Sequence, residues 1–303
     1  MKLDVGLLLP SREVLLWGDS NLRFLVEAAV EAERLGFQSV WVGDSLLARP
    51  RGEPLTLLGA IAGATHRVKL GTAVLLPLLR RPVQLAHSLA TLDRVSRGRL
   101  IVGVGPGASV PGTREELAAV DMPADNRVSM LLGTVDRCRV LWRGEDPDVK
   151  LLPAPLTPAG PPFWLGAHGP RMMREAGSRF DGWLPFSPTP EVFATGLATV
   201  KASAAKAGRN PSAVAAAVYL TLAIADDRET AAEQFDAYIR AYYGVPGEVM
   251  ARAQASHAGT IDSAVDWIGA YAEAGAQHVV LRLARPTLDG FMDVAAALLH
   301  ALQ

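Results

Sequence analysis

The chain has 303 residues, a formal net charge of −1, an apolar half and a single cysteine, Cys138. That composition supports a large buried core and excludes a basic nucleic-acid footprint, an intrachain disulfide and a multi-cysteine metal centre. Small molecules are the partner class this leaves, and Cys138, in VDRCRVLW, is expected to pack inside a helix.

The apolar run at the N-terminus stops at Pro10, too short for a signal-peptide core or a membrane span, so a cytoplasmic protein is expected. Residues 4–9 read as a first strand, and Asn21 to Gly36 as a helix with Leu22, Val26 and Ala29 on one face. QSVWVGDSL, at 38–46, follows as strand two, and Leu55 to Thr65 as a second helix. The stretch from Val68 to Gly107 then holds a strand at 68–75, a helix from Pro82 to about Val95 and a fourth strand at 99–104. After Gly107 a polar loop leads to a helix from Asn126 to Trp142, and residues 146–162, rich in proline, read as an excursion over the surface. Strand five is PFWLGA at 162–167, Pro170 opens a helix, DGWLPFS at 181–187 is a short sixth strand, and Pro190 to Ala207 is helical. Strand seven is 215–225, helical segments follow at 227–257 and 262–274, strand eight is 278–283, and Gly290 to Leu302 is the last helix.

Alternating strands and helices of this number, joined by connections too short for anything but neighbours, predict a (β/α)8 TIM barrel over residues 1–303 as one domain. A doubly wound open sheet is the rival. No linker, repeat or low-complexity segment divides the chain.

In such a barrel function sits at the C-terminal ends of the strands. Those ends are Pro10–Ser11, Asp44–Ser45, Thr72–Leu76, Gly105–Gly107, His168–Arg171, Phe186–Ser187 and Arg282. GVGPG, with Gly103, Gly105 and Gly107, invites a dinucleotide-binding reading, but no helix opens directly after it and its strand is the fourth of the series. The glycines either keep side chains away from a flat ligand or simply make a turn. Pro170 at a first helical turn leaves the N–H groups of Arg171, Met172 and Met173 free, a ready anion site unless it only starts a helix. His168, just before it, is placed to meet a phosphate or act as an acid, or else is structural. His66, His87, His257 and His300 read as lying in helices or at helix ends, with no metal spacing among them. Arg49 with Arg51, and Arg80 with Arg81, form basic pairs suited to an acidic cofactor tail or substrate, with solvated surface as the ordinary fate of such pairs.

AERLGFQSVWVGDSL, KLGTAVLLPLLRRPVQLAHSLATLDRVSRGRLIVGVGPG, WLGAHGPRMMREAGSRFDGWLP and GTIDSAVDWIGAYAEAGAQHVVLRL, in that order along almost the whole chain, resemble the luciferase-like monooxygenase family. That family includes bacterial luciferase and the coenzyme F420-dependent reductases and dehydrogenases. The resemblance implies a homodimeric barrel that binds F420 or FMN at its C-terminal end. It implies a bulge in strand three with a non-prolyl cis peptide at Ala73–Val74 against the central ring, and the cofactor phosphate at Gly169–Arg171. The cofactor-binding set is then Thr72, Ala73, Val74, Gly105, Gly107, Gly169, Pro170, Arg171, Met172 and Ser187, and the catalytic set Asp44, Ser45 and His168, with no metal.

Two departures limit the transfer. Many F420-dependent members carry Asp-His after strand two where this chain has Asp44–Ser45, so a proton shuttle is missing there. The sugar-phosphate dehydrogenase branch has a glutamate where Ala108 stands. The HGPR turn, the AGSRFDGWLP that follows and the compact length favour F420, with hydride transfer to or from an organic substrate. The alternatives are an FMN-dependent monooxygenase using molecular oxygen and a protein that binds flavin or F420 without turnover. A metal-dependent barrel hydrolase lacks the histidine and carboxylate clusters it would need.

Overall fold

The computed structural model describes residues 3–303 apart from 18, 19, 109 and 167. In chain order the elements are β1 (Asp4–Leu8), α1 (Glu13–Leu16), α2 (Arg23–Leu35), β2 (Ser39–Val42), α3 (Pro54–Ala64), β3 (Lys69–Thr72), α4 (Pro82–Val95) and β4 (Leu100–Val104). Then come α5 (Pro111–Ala118), α6 (Arg127–Trp142), β5 (Phe163–Leu165), α7 (Pro170–Arg179), β6 (Gly182–Trp183), α8 (Pro190–Lys206) and β7 (Ala215–Ile224). The chain ends with α9 (Arg228–Tyr243), α10 (Gly247–Ala253), β8 (Ser256–Gly259), α11 (Ile261–Glu273), β9 (His278–Leu283) and α12 (Phe291–Ala301).

Strands β1 to β6 pair in sequence, β6 pairs with β7, β7 with β9 and β9 with β1, every pair parallel. Among the described residues this closes an eight-stranded α/β barrel, the TIM-barrel architecture expected from the alternation. The ninth strand, β8, pairs only with the overhanging end of β7, Thr221 to Ile224.

Two apolar layers hold the barrel. Outside, Leu25, Leu58, Leu89, Leu131 and Phe193 of the helices pack on the strands. Inside, Leu8, Trp41, Ile101, Trp164, Leu184, Ala217 and Val280 fill the lumen, with the Trp41 and Trp164 rings 5.5 Å apart. The lumen is therefore a packed plug rather than a pore, and ligand chemistry is confined to its mouth. Cys138 is buried as expected, and burial pushes its thiol up to about 12. No helix among the described residues is long and apolar enough to cross a membrane.

The strand predicted at 38–46 stops at Val42, and that at 181–187 shrinks to Gly182–Trp183. The strand predicted at 162–167 covers Phe163–Leu165, and Ala167 lies outside the described residues. The polar loop after Gly107 contains α5, because Pro111 occupies the first turn of a helix, where its missing N–H costs nothing. The helical segment expected over 227–257 breaks into α9, α10 and the start of β8. His257 accordingly lies in a strand, not a helix, and His66 lies in the loop after α3, its N–H bound by the Glu33 carboxylate.

At the closed end of the lumen, Ser39 Oγ accepts from Trp41 Nε1 at 2.6 Å and meets His278 Nε2 at 2.8 Å, with Asp4 3.7 Å from His278 Nδ1. Burial holds His278 below the ordinary histidine value despite the raising effect of Asp4. The unfolded chain, with histidine near about 6.5, therefore takes up that proton before the folded one does. Stability contributed by this site is complete above about 6.5 and is lost as pH falls from there through the lower folded value. Unfolding measured against pH should show this acid-side slope, and His278→Gln should flatten it; an unchanged slope in the variant would assign it to other groups.

Candidate active site

Strand β3 leaves regular pairing at the barrel mouth. The Thr72 hydroxyl donates to the Gly103 carbonyl at 2.7 Å, and the Ala73 N–H donates to Val42 at 2.8 Å. The Ala73–Val74 peptide bond is cis, at the position the resemblance implied. Beyond it, the Leu75 N–H returns to the Gly103 carbonyl at 2.7 Å and the Gly105 N–H to the Leu75 carbonyl at 3.0 Å, so the chain rejoins β4 after the bulge.

The Val74 side chain explains two of the glycines. A Cβ on Gly105 would lie 2.7 Å from Val74 Cγ2, and one on Gly166 would collide with Val74 Cγ1. Gly105 therefore leaves room for the bulge instead of cradling a dinucleotide. Ala73 and Val74 stay half-buried over the tryptophan plug, an apolar floor at the mouth.

The end of β2 is committed to holding this floor. Asp44 accepts the Leu76 N–H at 2.9 Å and the Arg80 guanidinium at 2.6 Å, and Arg80 also reaches Glu53 at 2.7 Å. Arg80 is thus a pinned partner rather than the solvated surface cation that is usual for such a pair. The Ser45 hydroxyl donates to Glu116 at 2.5 Å, and Glu116 also takes the N–H groups of Leu47 and Ala48 at 2.9 and 3.1 Å. A buried carboxylate satisfied in this way fixes the loop after β2 onto α5.

Two strands round the ring from β3, after β5, Gly169 adopts a φ of +91° and Pro170 starts α7. The N–H groups of Arg171 and Met172 belong to a first turn without intrahelical acceptors, a donor set suited to a phosphate. The Met172 side chain is buried in the core, so only its backbone faces the mouth, whereas Arg171 is exposed with Nη2 3.4 Å from Ser129 Oγ. His168 packs edge-on against Phe186 with centroids 4.6 Å apart, and burial lowers its pKa. Ser187 is buried, its carbonyl accepting from the Tyr271 hydroxyl at 2.8 Å. Arg127 Nη1 donates to the carbonyls of Pro106, Gly107 and Ala108 at 3.3, 3.1 and 2.9 Å, which ties down the rim turn.

The structure thus gathers Thr72, Ala73, Val74 and Gly105 in one wall, joins Asp44 to it through Leu76, and sets His168 to Met172 after β5, two strands round the rim from β3. No hydrogen bond among the described residues links His168 to Asp44 or Ser45. Sequence reasoning missed Glu13 and the tyrosines Tyr219, Tyr238, Tyr242 and Tyr243, which close the mouth between β7 and β1. The spacing of Tyr238 and Tyr242, one helical turn apart, was the available signal. No cluster of three histidine, cysteine or carboxylate side chains able to hold a metal occurs among the described residues.

The family described as luciferase-like monooxygenase matches residues 3–279. A phthiodiolone/phenolphthiodiolone dimycocerosates ketoreductase of Mycobacterium bovis (strain BCG / Pasteur 1173P2) is 30% identical over 261 residues, covering 74% of this chain and 67% of the relative. A 5,10-methylenetetrahydromethanopterin reductase of Methanolobus tindarius is 32% identical over 239 residues, covering 73% and 68%. Among solved structures, an F420-dependent secondary alcohol dehydrogenase in complex with an F420-acetone adduct superposes with a TM-score of 0.81 at 22% identity over 100% of both chains.

The seat of Val74 can be tested by a double-mutant cycle. Gly166→Ala should cost about 1–3 kcal/mol through overpacking, and adding Val74→Ala should recover most of it because the colliding methyl is removed. Additive losses in the double variant would show that the two positions do not touch.

Proposed function

The chain belongs to the luciferase-like monooxygenase family, whose members are oxidoreductases, and on that premise we propose an F420-dependent enzyme that moves a hydride to or from a small organic substrate. The observation that carries this reading is the apolar floor at Ala73–Val74, set between a wall of backbone and the donor-rich first turn of α7. A planar ring with an anionic tail fits those two features together. Two solved structures of this fold are F420-dependent by name, the secondary alcohol dehydrogenase and a tetrahydromethanopterin reductase of Methanopyrus kandleri, and another, a Baeyer-Villiger monooxygenase, is in complex with FMN; the first two support F420 as the cofactor read here.

Ala73, Val74 and Gly105 would support one face of the ring, with Thr72 fixing the strand behind them. The N–H groups of Arg171 and Met172, the Arg171 guanidinium and the Gly169–Pro170 turn would hold the phosphate, with Gly107 and Ser187 on the neighbouring rim. F420 supplies a carbon centre that accepts or donates a hydride. The protein's part is to orient the substrate and exclude water over the floor. Asp44 and Ser45 act by position, since both side chains are already engaged.

His168, whose ring nitrogens have no hydrogen-bond partner among the described residues, is the group left to carry a proton. Partial desolvation by its neighbours lowers its pKa although the side chain is exposed, which favours the neutral ring that accepts a proton from a substrate hydroxyl during oxidation. The reading includes a homodimer. A groove of about 660 Å³ between α3 and α4, lined by leucines and by polar groups such as Gln84, His87 and Arg81, with Val83 and Val95 exposed beside it, offers the second copy a mixed face.

Fluorescence titration of the apo protein with F420 and with FMN is the deciding experiment. Micromolar or tighter binding of F420 is expected, weakened about tenfold or more in Arg171→Gln by loss of a charged hydrogen bond, and the same sample should sediment as two chains. Binding of FMN with none of F420 would overturn the reading in favour of oxygen chemistry, and binding of F420 without bleaching by any alcohol or ketone would favour a carrier. In the loaded enzyme, oxidation should fall as pH drops below about 6.5, and His168→Asn should lower kcat and remove that limb; an unchanged profile would exclude His168 as the base.

A further inference from the structure

Four arginines converge on two adjacent tyrosines in the quadrant of the mouth between β1, β2, β7 and β9. Arg12 lies just beyond β1, Arg49 and Arg51 lie beyond β2, and Arg282 lies near the end of β9. Tyr242 and Tyr243, which end α9, have ring centroids 4.7 Å apart. The guanidinium carbon of Arg12 is 4.7 Å from the Tyr242 centroid, that of Arg49 is 4.6 Å from Tyr243, and that of Arg282 is 5.1 and 5.3 Å from the two. Arg51 donates to the Tyr242 hydroxyl at 3.0 Å and packs on Gly43, where any Cβ would collide with its guanidinium.

The charge of this cluster is unbalanced. Arg80, Arg139 and Arg179 each reach a carboxylate, but none of these four guanidinium groups forms an ion pair among the described residues. Glu13, the carboxylate packed among them, takes the Tyr238 hydroxyl at 2.5 Å and the Arg12 backbone N–H at 3.1 Å. Arg282 is the structural member: it is buried, donates twice to Thr221 Oγ1 at 3.2 and 2.9 Å and once to the Tyr243 hydroxyl at 2.7 Å. Arg12 is different, because its Nε and Nη1 are buried with no acceptor at all. Burial, opposed by Tyr242 and reinforced by the neighbouring Arg51 and Arg49, holds the Arg12 guanidinium below its ordinary value. Tyrosine faces compensate a desolvated cation only in part.

We propose that this quadrant binds an anionic group of the substrate, a carboxylate or a phosphate ester, with Arg12 as the principal donor and Arg49 and Arg51 beside it. The proposal rests on the oxidoreductase reading for calling the ligand a substrate, and on the arginine geometry for calling it an anion. In the closed ring β5 stands opposite β1, so the first turn of α7 and Arg12 lie on opposite sides of the mouth. The β3 floor, with Ala73 and Val74, stands between them around the rim. One pole suits the cofactor phosphate; the other holds the substrate's charge and turns its reacting carbon toward the ring.

The test uses the apo protein, titrated with inorganic phosphate and with acetate at ionic strength balanced by sodium chloride, and follows the unfolding midpoint and tryptophan fluorescence. Saturable binding is expected, weakened at least tenfold in Arg12→Gln and in Arg49→Gln and largely restored in Arg12→Lys, with circular dichroism confirming that each variant is folded. Absence of saturable binding, equal binding in both glutamine variants, or a loss seen only in Arg171→Gln would overturn the proposal. F420 affinity is measured in the same variants. A change within twofold supports a substrate site, and a tenfold loss parallel to that of the anions would assign the arginines to the cofactor's acidic tail and overturn it. No hydride transfer is read, so failure of the F420 titration and failure of this site give separable results.

Discussion

The contact on which the mouth of this barrel depends is the seat of Val74 between two positions that carry no side chain. Gly105 comes from the turn after β4 and Gly166 from the end of β5, and both must be bare for the bulge of β3 to lie where it does. The bulge in turn rests on a lumen already filled by Trp41 and Trp164, which blocks any movement inward. Close packing leaves little slack in such a stack, so the floor is set by the three strands together rather than by the loop that bears it.

Polar groups around that floor are arranged to hold it still. Asp44 spends its carboxylate on Leu76 and Arg80, and Ser45 spends its hydroxyl on Glu116. Both occupy the end of β2, where the resemblance led one to look for a proton shuttle. Charge-assisted bonds of this kind are costly to break because each would strand a buried partner. The end of β2 therefore reads as a brace.

Period and punctuation made most of the fold legible. The apolar runs and amphipathic segments carried the alternation, and Pro82, Pro170 and Pro190 marked helix starts correctly because proline at a first turn gives up no hydrogen bond. The same rule applied to Pro111 would have found α5; the polar composition around it concealed the helix. Strand β8 was hidden for a different reason: Ser256 to Gly259 has no β-branched residue and exists by pairing with the overhang of β7. The sixth strand ended early because Pro185 has no N–H to give to a ladder.

The site was legible only where it follows the chain. Gly169 to Met172 form one local turn, so two of the three donors expected from sequence, those of Arg171 and Met172, are free as counted, while the Met173 N–H is taken by the Gly169 carbonyl at 3.0 Å. Val74 and Gly166, or Arg12 and Tyr242, meet only after the barrel closes, and no spacing rule joins them. That closure also sets the electrostatics of the mouth. Strand ends from β1, β2 and β9 bring arginines to one quadrant, and α9 covers them with tyrosines instead of carboxylates. Elsewhere arginines are answered either by aspartate or glutamate, as at Arg34, Arg139 and Arg179, or by backbone carbonyls, as at Arg94 and Arg99. Arg12, buried with two donor atoms unmet, is therefore the point at which an anion from outside would complete the mouth.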